Sequence, residues 1–460
     1  MKTFGVQVSS FRDPSGFIFV RDGVLLRQVN KSYEEQFRRL LDSGLYDDLV
    51  SRGLLIHAER IGTSYAQAPD AIDVLQPEVV PFISYPYEWS FSQLKDAALL
   101  TLEIASIALE KDMILKDASA YNVQFLRGKP IFIDTLSFDL YEEGKPWIAY
   151  RQFCQHFLAP LALMSTVDAR IGQLSRAFLD GIPVDLASRM LPNSSWLRPG
   201  LVTHLRLHGK AVARPPSDSP RSAKVSRFAL KALLHNLRST ILSLRLPRRP
   251  STWSEYYSQT NYSKRAMQHK RELVARHVAR IAPLPQTCWD LGANTGEFSK
   301  IASEAGLNTV AWDLDPLAVD IAYERVKAAG EQRILPLVQD LTNPSPDIGW
   351  AHEERDGLMR RGPVDVILCL ALVHHLAIGN NVPLPRIASL LADLGEWLVI
   401  EFVAKEDSQV QRMLQSREDV FPNYDAASFE AAFGREYEIL QRDAIQNSHR
   451  TLYLMRRRAA

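Results

Sequence analysis

The sequence predicts two domains: an α/β domain over residues 251–460, with a mostly parallel sheet and an antiparallel edge pair, and a separate α+β domain over residues 1–205. Three observations lead there. The chain has 460 residues, more than one hydrophobic core usually organises. From Thr287 onward, short apolar runs alternate with helix-length stretches, the signature of strands joined by crossover helices. Between them, from about Leu205 to Pro250, the composition turns basic and rich in Pro and Ser.

The first domain opens with two β-type runs, Gly16 to Val20 and Val24 to Val29, joined at Arg21-Asp22-Gly23. Asp-Gly between such runs signals a hairpin turn. Phe91 to Lys111 reads as one long helix with Leu94, Ala98, Leu102, Ala105 and Leu109 on one face and Ser90 as its cap. A polar loop, Lys116 to Asn122, and an apolar strand, Pro130 to Asp134, come next.

In the basic segment 206–250, Ala213 to Ser222 reads as a linker, and Phe228 to Leu244 has helical apolar spacing with basic residues between. A basic amphipathic helix suits weak contact with an anionic surface, so segment 206–249 is a candidate for one; a helix docked on a domain is the plainer reading.

In the second domain the strand candidates are Thr287 to Trp289, Thr309 to Trp312, Ile334 to Val338, Val364 to Leu370 and Trp397 to Phe402. Two further runs, Tyr437 to Leu440 and Thr451 to Met455, are close enough in sequence to form the antiparallel pair.

Composition excludes several classes. Formal net charge is +1, so no overall charge argues for nucleic acid. Cys154, Cys288 and Cys369 lie far apart without clustered histidines, which points away from a zinc site and towards a reducing compartment. The first sixteen residues lack an apolar export segment, and the longest apolar run, Ala97 to Leu109, is too short to span a bilayer. A cytoplasmic protein without a transmembrane segment is expected.

The chemistry concentrates after the first strand of the second domain, in Asp290-Leu-Gly292-Ala-Asn294-Thr-Gly296. A loop there opens at the carboxyl ends of the strands, where α/β sheets place ligands. Gly292 and Gly296 let backbone approach a ligand, and Asn294 tolerates a left-handed conformation. The spacing departs from the dinucleotide fingerprint, which disfavours a nicotinamide cofactor. Asp313 ends the second strand, where a carboxylate can accept two hydrogen bonds from a ribose diol. Asp315-Pro316 reads instead as a helix cap and first turn.

These features resemble the class I, Rossmann-like S-adenosylmethionine-dependent methyltransferases over roughly Trp253 to Met455. The chain also resembles a bacterial group that includes rhizobial nodulation-associated methyltransferases. The family resemblance implies that Asp290, Gly292, Asn294 and Gly296 hold the methionine part of S-adenosylmethionine, that Asp313 holds the ribose, and that Asp340, after the third strand, contacts adenine. Asn294 departs from the glycine that many members carry.

The acceptor, unidentified from the sequence, is expected near the end of the fourth strand, which leads into His374-His375. One imidazole can serve as a base. Alternatively one packs beneath the cofactor while the other bonds the loop, and methyl transfer runs on in-line placement alone. The Asn/Asp-Pro-Pro-aromatic loop that the family uses for planar amino groups is missing after strand four. Trp253-Ser-Glu-Tyr-Tyr257 with Tyr262 is either an aromatic lid or hydrophobic packing.

A second constellation lies upstream. Lys116-Asp117-Ala-Ser-Ala-Tyr-Asn122 followed by Ile131-Phe-Ile-Asp134 resembles the core of kinase-like phosphotransferases, which implies a possible base at Asp117 and metal ligands at Asn122 and Asp134. No Asp-Phe-Gly follows, no glycine-rich phosphate loop is evident, and no strand lysine can be named. An Asx turn using Asp117 and Asn122 is the plainer alternative. The expectation is a methyltransferase whose N-terminal domain aids acceptor recognition; the alternative is a bifunctional or kinase-like enzyme.

Overall fold

The structure is a computed structural model that describes residues 5–6, 10–212, 224–247, 263–415 and 418–459. Two compact units emerge: Met1–Arg248 with Ile348–Arg355, and Arg249–Asp347 with Asp356–Ala460. The N-terminal unit thus takes in a short stretch, 348–355, from within the second half of the chain, which the sequence read as one uninterrupted domain.

In the N-terminal unit, strands β1 (Gly5–Val6), β2 (Gly16–Arg21), β3 (Val24–Asn30), β4 (Ala58–Arg60) and β5 (Ala71–Pro77) form an antiparallel sheet in the order β1-β2-β3-β5-β4. The hairpin turns on Asp22 and Gly23, at φ 53° and 79°, the double left-handed turn that Asp-Gly favours. Helices α1 (Glu34–Asp42) and α2 (Leu45–Ser51) lie between β3 and β4 in the chain. Helix α3 (Phe91–Glu110) begins at Ser90, whose hydroxyl accepts from Gln93 N while Gln93 reaches back to Ser90 N, a reciprocal capping box. Its stripe Leu94, Ala98, Leu102, Ala105 and Leu109 is buried, as the spacing predicts. Two small antiparallel pairs come next, β6 (Met113–Leu115) with β9 (Phe138–Leu140), and β7 (Val123–Leu126) with β8 (Lys129–Phe132).

Parts of the basic segment read as linker fold into this unit. Arg206 is buried and donates to Ser188 O, Leu191 O and Ser195 Oγ, so its charge is spent on cross-linking a turn. Helix α4 (Arg227–Ser243) is capped by Ser226 and buries Leu230, Leu234, Leu237 and Ile241 while packing against α3. Arg227 pairs with Asp112 at 2.5 Å and Lys231 reaches Glu110 at 3.9 Å, which turns part of the expected anionic-contact surface to internal use. The Pro/Ser part, Ala213 to Ser222, lies outside the described residues.

In the second unit, helix α5 (Lys264–Ala279) precedes β10 (Thr287–Leu291), followed by α6 (Ser299–Glu304), β11 (Asn308–Asp313), α7 (Pro316–Ala329), β12 (Ile334–Val338), β13 (Val364–Cys369), α8 (Leu384–Leu394), β14 (Gly395–Val403), α9 (Ser408–Leu414), α10 (Ala426–Glu436), β15 (Tyr437–Ala444) and β16 (Arg450–Arg457). The sheet order is β12-β11-β10-β13-β14-β16-β15; the first five strands are parallel and the last two antiparallel. Central strands are apolar on both faces, as helices on both sides require: Val366, Ile367, Leu368 and Cys369 of β13 are all fully buried. Because the chain starts at β10 and moves outward through β11 to β12 before crossing back to β13, the sheet has its switch point between β10 and β13, the edge at which loops part to leave a crevice.

Candidate functional site

The carboxyl ends of four strands, β10, β11, β12 and β13, meet around one cavity of about 220 Å³ in the second unit. Asp290 is the penultimate residue of β10 and is buried; its Oδ2 accepts from Ser299 Oγ at 2.6 Å. The following loop turns under the carboxyl end of β11, with Gly292 N and Ala293 N donating to Trp312 O at 2.9 and 2.8 Å. That turn needs left-handed backbone at three places: φ is 75° at Gly292, 52° at Asn294 and 81° at Gly296. Asn294 supplies what a glycine supplies elsewhere, and its side chain accepts from Thr295 N at 2.9 Å. A Cβ at Gly292 would also stand 3.3 Å from Leu372.

Asp313, last in β11, ties the loop to the next turn. Its Oδ2 accepts from Asn294 N at 2.8 Å and its Oδ1 from Asp315 N at 2.9 Å. Asp315 caps α7 by accepting from Leu317 N, with Pro316 in the first turn, as its Asp-Pro sequence predicts. Asp340, beyond β12, accepts from Thr342 N and Thr342 Oγ1 at 2.8 and 2.6 Å.

Loss of water around Asp290 and Asp313 pushes both carboxyls up to about 6; hydrogen bonds from Ser299 and the Lys270 charge oppose this at Asp290, and backbone N–H groups oppose it at Asp313. Both are mainly ionised at neutral pH. The cavity wall therefore carries closely spaced negative charge, suited to a ligand with hydroxyl donors and positive charge.

Of the residues singled out in the sequence, Asp290, Gly292, Asn294, Asp313, Asp340 and His375 line the cavity. Gly296 is not in the wall; it serves the backbone turn. His374 is also outside it, fully buried, with its ring 4.1 Å from that of His375 and no hydrogen-bond partner on Nδ1 among the described residues. Burial holds His374 well below the usual histidine range. Burial and Arg450 bring His375 down to about 4, so it is neutral at physiological pH and a weak base. The aromatic lead-in, Trp253 to Tyr257 with Tyr262, lies outside the described residues.

Among the wall residues that escaped the sequence reading, two are polar groups from outside the predicted motifs. Gln339 lies just beyond β12, and Lys270 comes from α5. Lys270 had a signal: it occupies the apolar stripe Ala266, Lys270, Leu273, Val274 and Val278, where a charge is out of place.

The upstream constellation lies at a second cavity, about 350 Å³, in the N-terminal unit, lined by Lys116, Asp117, Asp134, Ser137, Gln152 and the 12–14 loop. Asp117 accepts from Ser119 N at 2.9 Å, the Asx turn, and from Gln152 Nε2 at 2.7 Å. Burial raises its carboxyl. Asn122 donates to Ser137 Oγ at 3.2 Å. Asp134 pairs with Arg27 and accepts from Ser137 Oγ and Leu136 N. Arg27, on β3, is a partner of Asp134 that the sequence alone did not reveal.

A curated protein, Nodulation protein NoeA of Rhizobium meliloti (strain 1021), is 36% identical over 468 aligned residues, covering 98% of this chain and 96% of its own. The chain belongs to the NoeA family. No family model matches it. Among solved structures, the magnesium protoporphyrin IX methyltransferase ChlM of Synechocystis PCC 6803 with bound SAM is 15% identical and covers 46% of this NoeA-family chain and 86% of its own, at a TM-score of 0.32. The bifunctional kinase-methyltransferase WbdD is 15% identical, covering 45% and 44%, at 0.31. The N-methyltransferase NodS from Bradyrhizobium japonicum WM9 is 13% identical, covering 43% and 99%, at 0.31. Likeness at this level carries no argument of its own. The second unit has the mostly parallel sheet with an antiparallel edge pair that the sequence predicts.

Proposed function

We propose that this chain is an S-adenosylmethionine-dependent methyltransferase, with the cofactor in the cavity of the second unit. The observation that carries this is the convergence of Asp290, Asp313 and Asp340, from three successive strand ends, on one cavity under a left-handed loop. Such a donor set fits the cofactor: carboxylates for a ribose diol, an amine and a positively charged centre, and bare backbone at Gly292 for close approach. Asp313 takes the ribose hydroxyls, Asp340 the adenine end, and Asp290 with the Gly292–Asn294 loop the methionine end. When bound, the cofactor supplies an electrophilic methyl group on a sulfonium.

The acceptor enters beside Leu372 and His375. His375, neutral and partly enclosed, orients it and excludes water; in-line placement supplies most of the rate. The N-terminal unit contributes to the choice of acceptor. Phosphotransfer by that unit is not favoured, because Arg27 already neutralises Asp134, the carboxylate a metal would need. A cytoplasmic setting accords with Cys154, Cys288 and Cys369, all free and buried. Separately, no helix of the described residues is long and apolar enough to cross a membrane.

Calorimetric titration of the full chain with S-adenosylmethionine and S-adenosylhomocysteine tests the proposal. Saturable binding of both is expected. No binding at high micromolar ligand would sink it. Label transferred from the methyl group into protein, nucleic acid or small molecules of a host extract then identifies the acceptor class.

A further inference from the structure

The chain beyond β12 leaves the cofactor cavity, makes an excursion and returns. Gln339, Asp340, Leu341 and Thr342 stand in the cavity wall. Residues 348–355 then belong to the N-terminal unit, and the second unit resumes at Asp356. On the second unit's side the outgoing and returning limbs are pinned to each other. Buried Ser345 accepts at its carbonyl from Leu358 N at 2.9 Å, and Asp347 Oδ1 accepts from Gly357 N at 2.6 Å. Arg360 pairs with Asp347 at 2.9 Å, and Ser345 Oγ lies 3.2 Å from Gln339 Oε1, which ties the pinned base back to the wall. Glycine is required at 357, because a Cβ there would stand 2.8 Å from Ser345 O.

Within the N-terminal unit the excursion is a closed loop: Ile348 N donates to Arg355 O and Arg355 N to Ile348 O, both at 3.1 Å. Trp350 is 71% exposed, and Ala351, His352 and Glu353 are exposed as well, so apolar burial does not hold this loop in place. Charged contacts do. Glu354, its side chain 6% exposed, accepts from Arg12 Nε at 2.8 Å and Arg12 Nη2 at 2.6 Å. The Arg355 guanidinium lies 4.3 Å from the centre of the Tyr121 ring, in the loop that carries Asp117. A buried carboxylate at the end of an otherwise exposed loop is costly unless paired, and Arg12 supplies the pairing. Without Arg12, Glu354 gains by moving out to water and takes the loop with it.

We propose that Arg12, acting through Glu354, is a positioning residue for the cofactor cavity: it fixes the closed loop 348–355, and the pinned base passes that order to Gln339–Thr342 and so to Asp340. Among the described residues the Asp340 carboxylate is bonded to Thr342 alone, so its place depends on where the whole segment is held. The proposal rests on the cofactor reading above, in which Asp340 takes the adenine end. A residue near the start of the chain thereby helps to complete a site built by the second unit.

Hydrogen exchange on the full chain without ligand tests the route, and a double-mutant cycle tests its use. Arg12→Met is expected to speed exchange about 5-fold or more both in 348–355 and at the pinned amides of Gly357 and Leu358. Faster exchange confined to 348–355, or unchanged exchange throughout, would overturn the inference. In calorimetric titration with S-adenosylmethionine, Arg12→Met should raise the dissociation constant about 3- to 10-fold, since a part-exposed pair is lost and a carboxylate is left stranded. Arg12→Lys, which keeps the charge, should retain most of the affinity. In an Asp340→Ala background the same Arg12→Met change should cost less than about twofold, because the group it positions is already gone. Equal losses in the two backgrounds are what a merely structural role predicts, and they would overturn the inference while leaving the cofactor reading intact. Failure of the wild type to bind S-adenosylmethionine would remove both.

Discussion

Replacing Asp313 by Ala is the most direct test of the cofactor site, because one carboxylate does two jobs there. In the free protein it accepts from Asn294 N and Asp315 N, holding the loop after β10 against the turn after β11. In the proposed cofactor complex it also accepts from a ribose diol. Loss of charged hydrogen bonding to the diol is worth about 1.5 to 3 kcal/mol, which raises the dissociation constant for S-adenosylmethionine by about 10- to 150-fold. Asp313→Asn keeps one acceptor oxygen and should fall between. Since the Asp313 carboxyl is pushed up to about 6, wild-type affinity should weaken as pH falls from 7.5 to 5, where the ionised form that a cationic ligand prefers becomes scarce. Calorimetry at both pH values, alongside urea unfolding to confirm the fold, measures this. Asp313→Ala binding within twofold of wild type, with an unchanged unfolding midpoint, would refute the assignment of Asp313 to the ribose.

Other outcomes follow from the same geometry. Gly292→Ala forces a Cβ into left-handed backbone 3.3 Å from Leu372, and should cost roughly 1 to 2 kcal/mol of stability in urea unfolding as well as ligand affinity; an unchanged midpoint would contradict the strained turn. His375 should stay neutral down to about pH 5 when its imidazole is followed by NMR. Because its folded value lies below the unfolded one, its contribution to stability is present above about 6.5 and is lost as pH falls towards 4; a midpoint near 6.5 would remove the case for an enclosed, weakly basic ring. Arg27→Met strands the Asp134 carboxylate, and should destabilise the N-terminal unit by about 3 kcal/mol or more, whereas Arg27→Met with Asp134→Leu should recover much of that loss. If the single variant is as stable as wild type, the pair is not what occupies Asp134.

The parallel sheet was legible because its strands are apolar on both faces and separated by helix-length stretches. The cofactor loop was legible because left-handed turns demand Gly or Asn and a helix start favours Asp-Pro. Those are local rules, and Gly292, Asn294, Gly296 and Asp315 obey them. The long helix Phe91–Glu110 and its Ser90 cap were readable for the same reason. The edge strand Ala58–Arg60 and its inner neighbour Ala71–Pro77 were not, since strand pairing here depends on partners more than on any period along the chain.

What the chain determines by local chemistry is therefore the order of elements and the identity of the carboxylates at the strand ends. Tertiary structure decided which charges meet. It brought Arg27 to Asp134 across more than a hundred residues and closed the upstream constellation on itself. It separated His374, sealed in the core, from His375 in the wall, although the two are adjacent in sequence. It also carried Lys270 to Glu401, from a helix that precedes the whole sheet to a strand 131 positions later. Such pairings depend on strand order and helix packing, and no spacing rule along the chain encodes them.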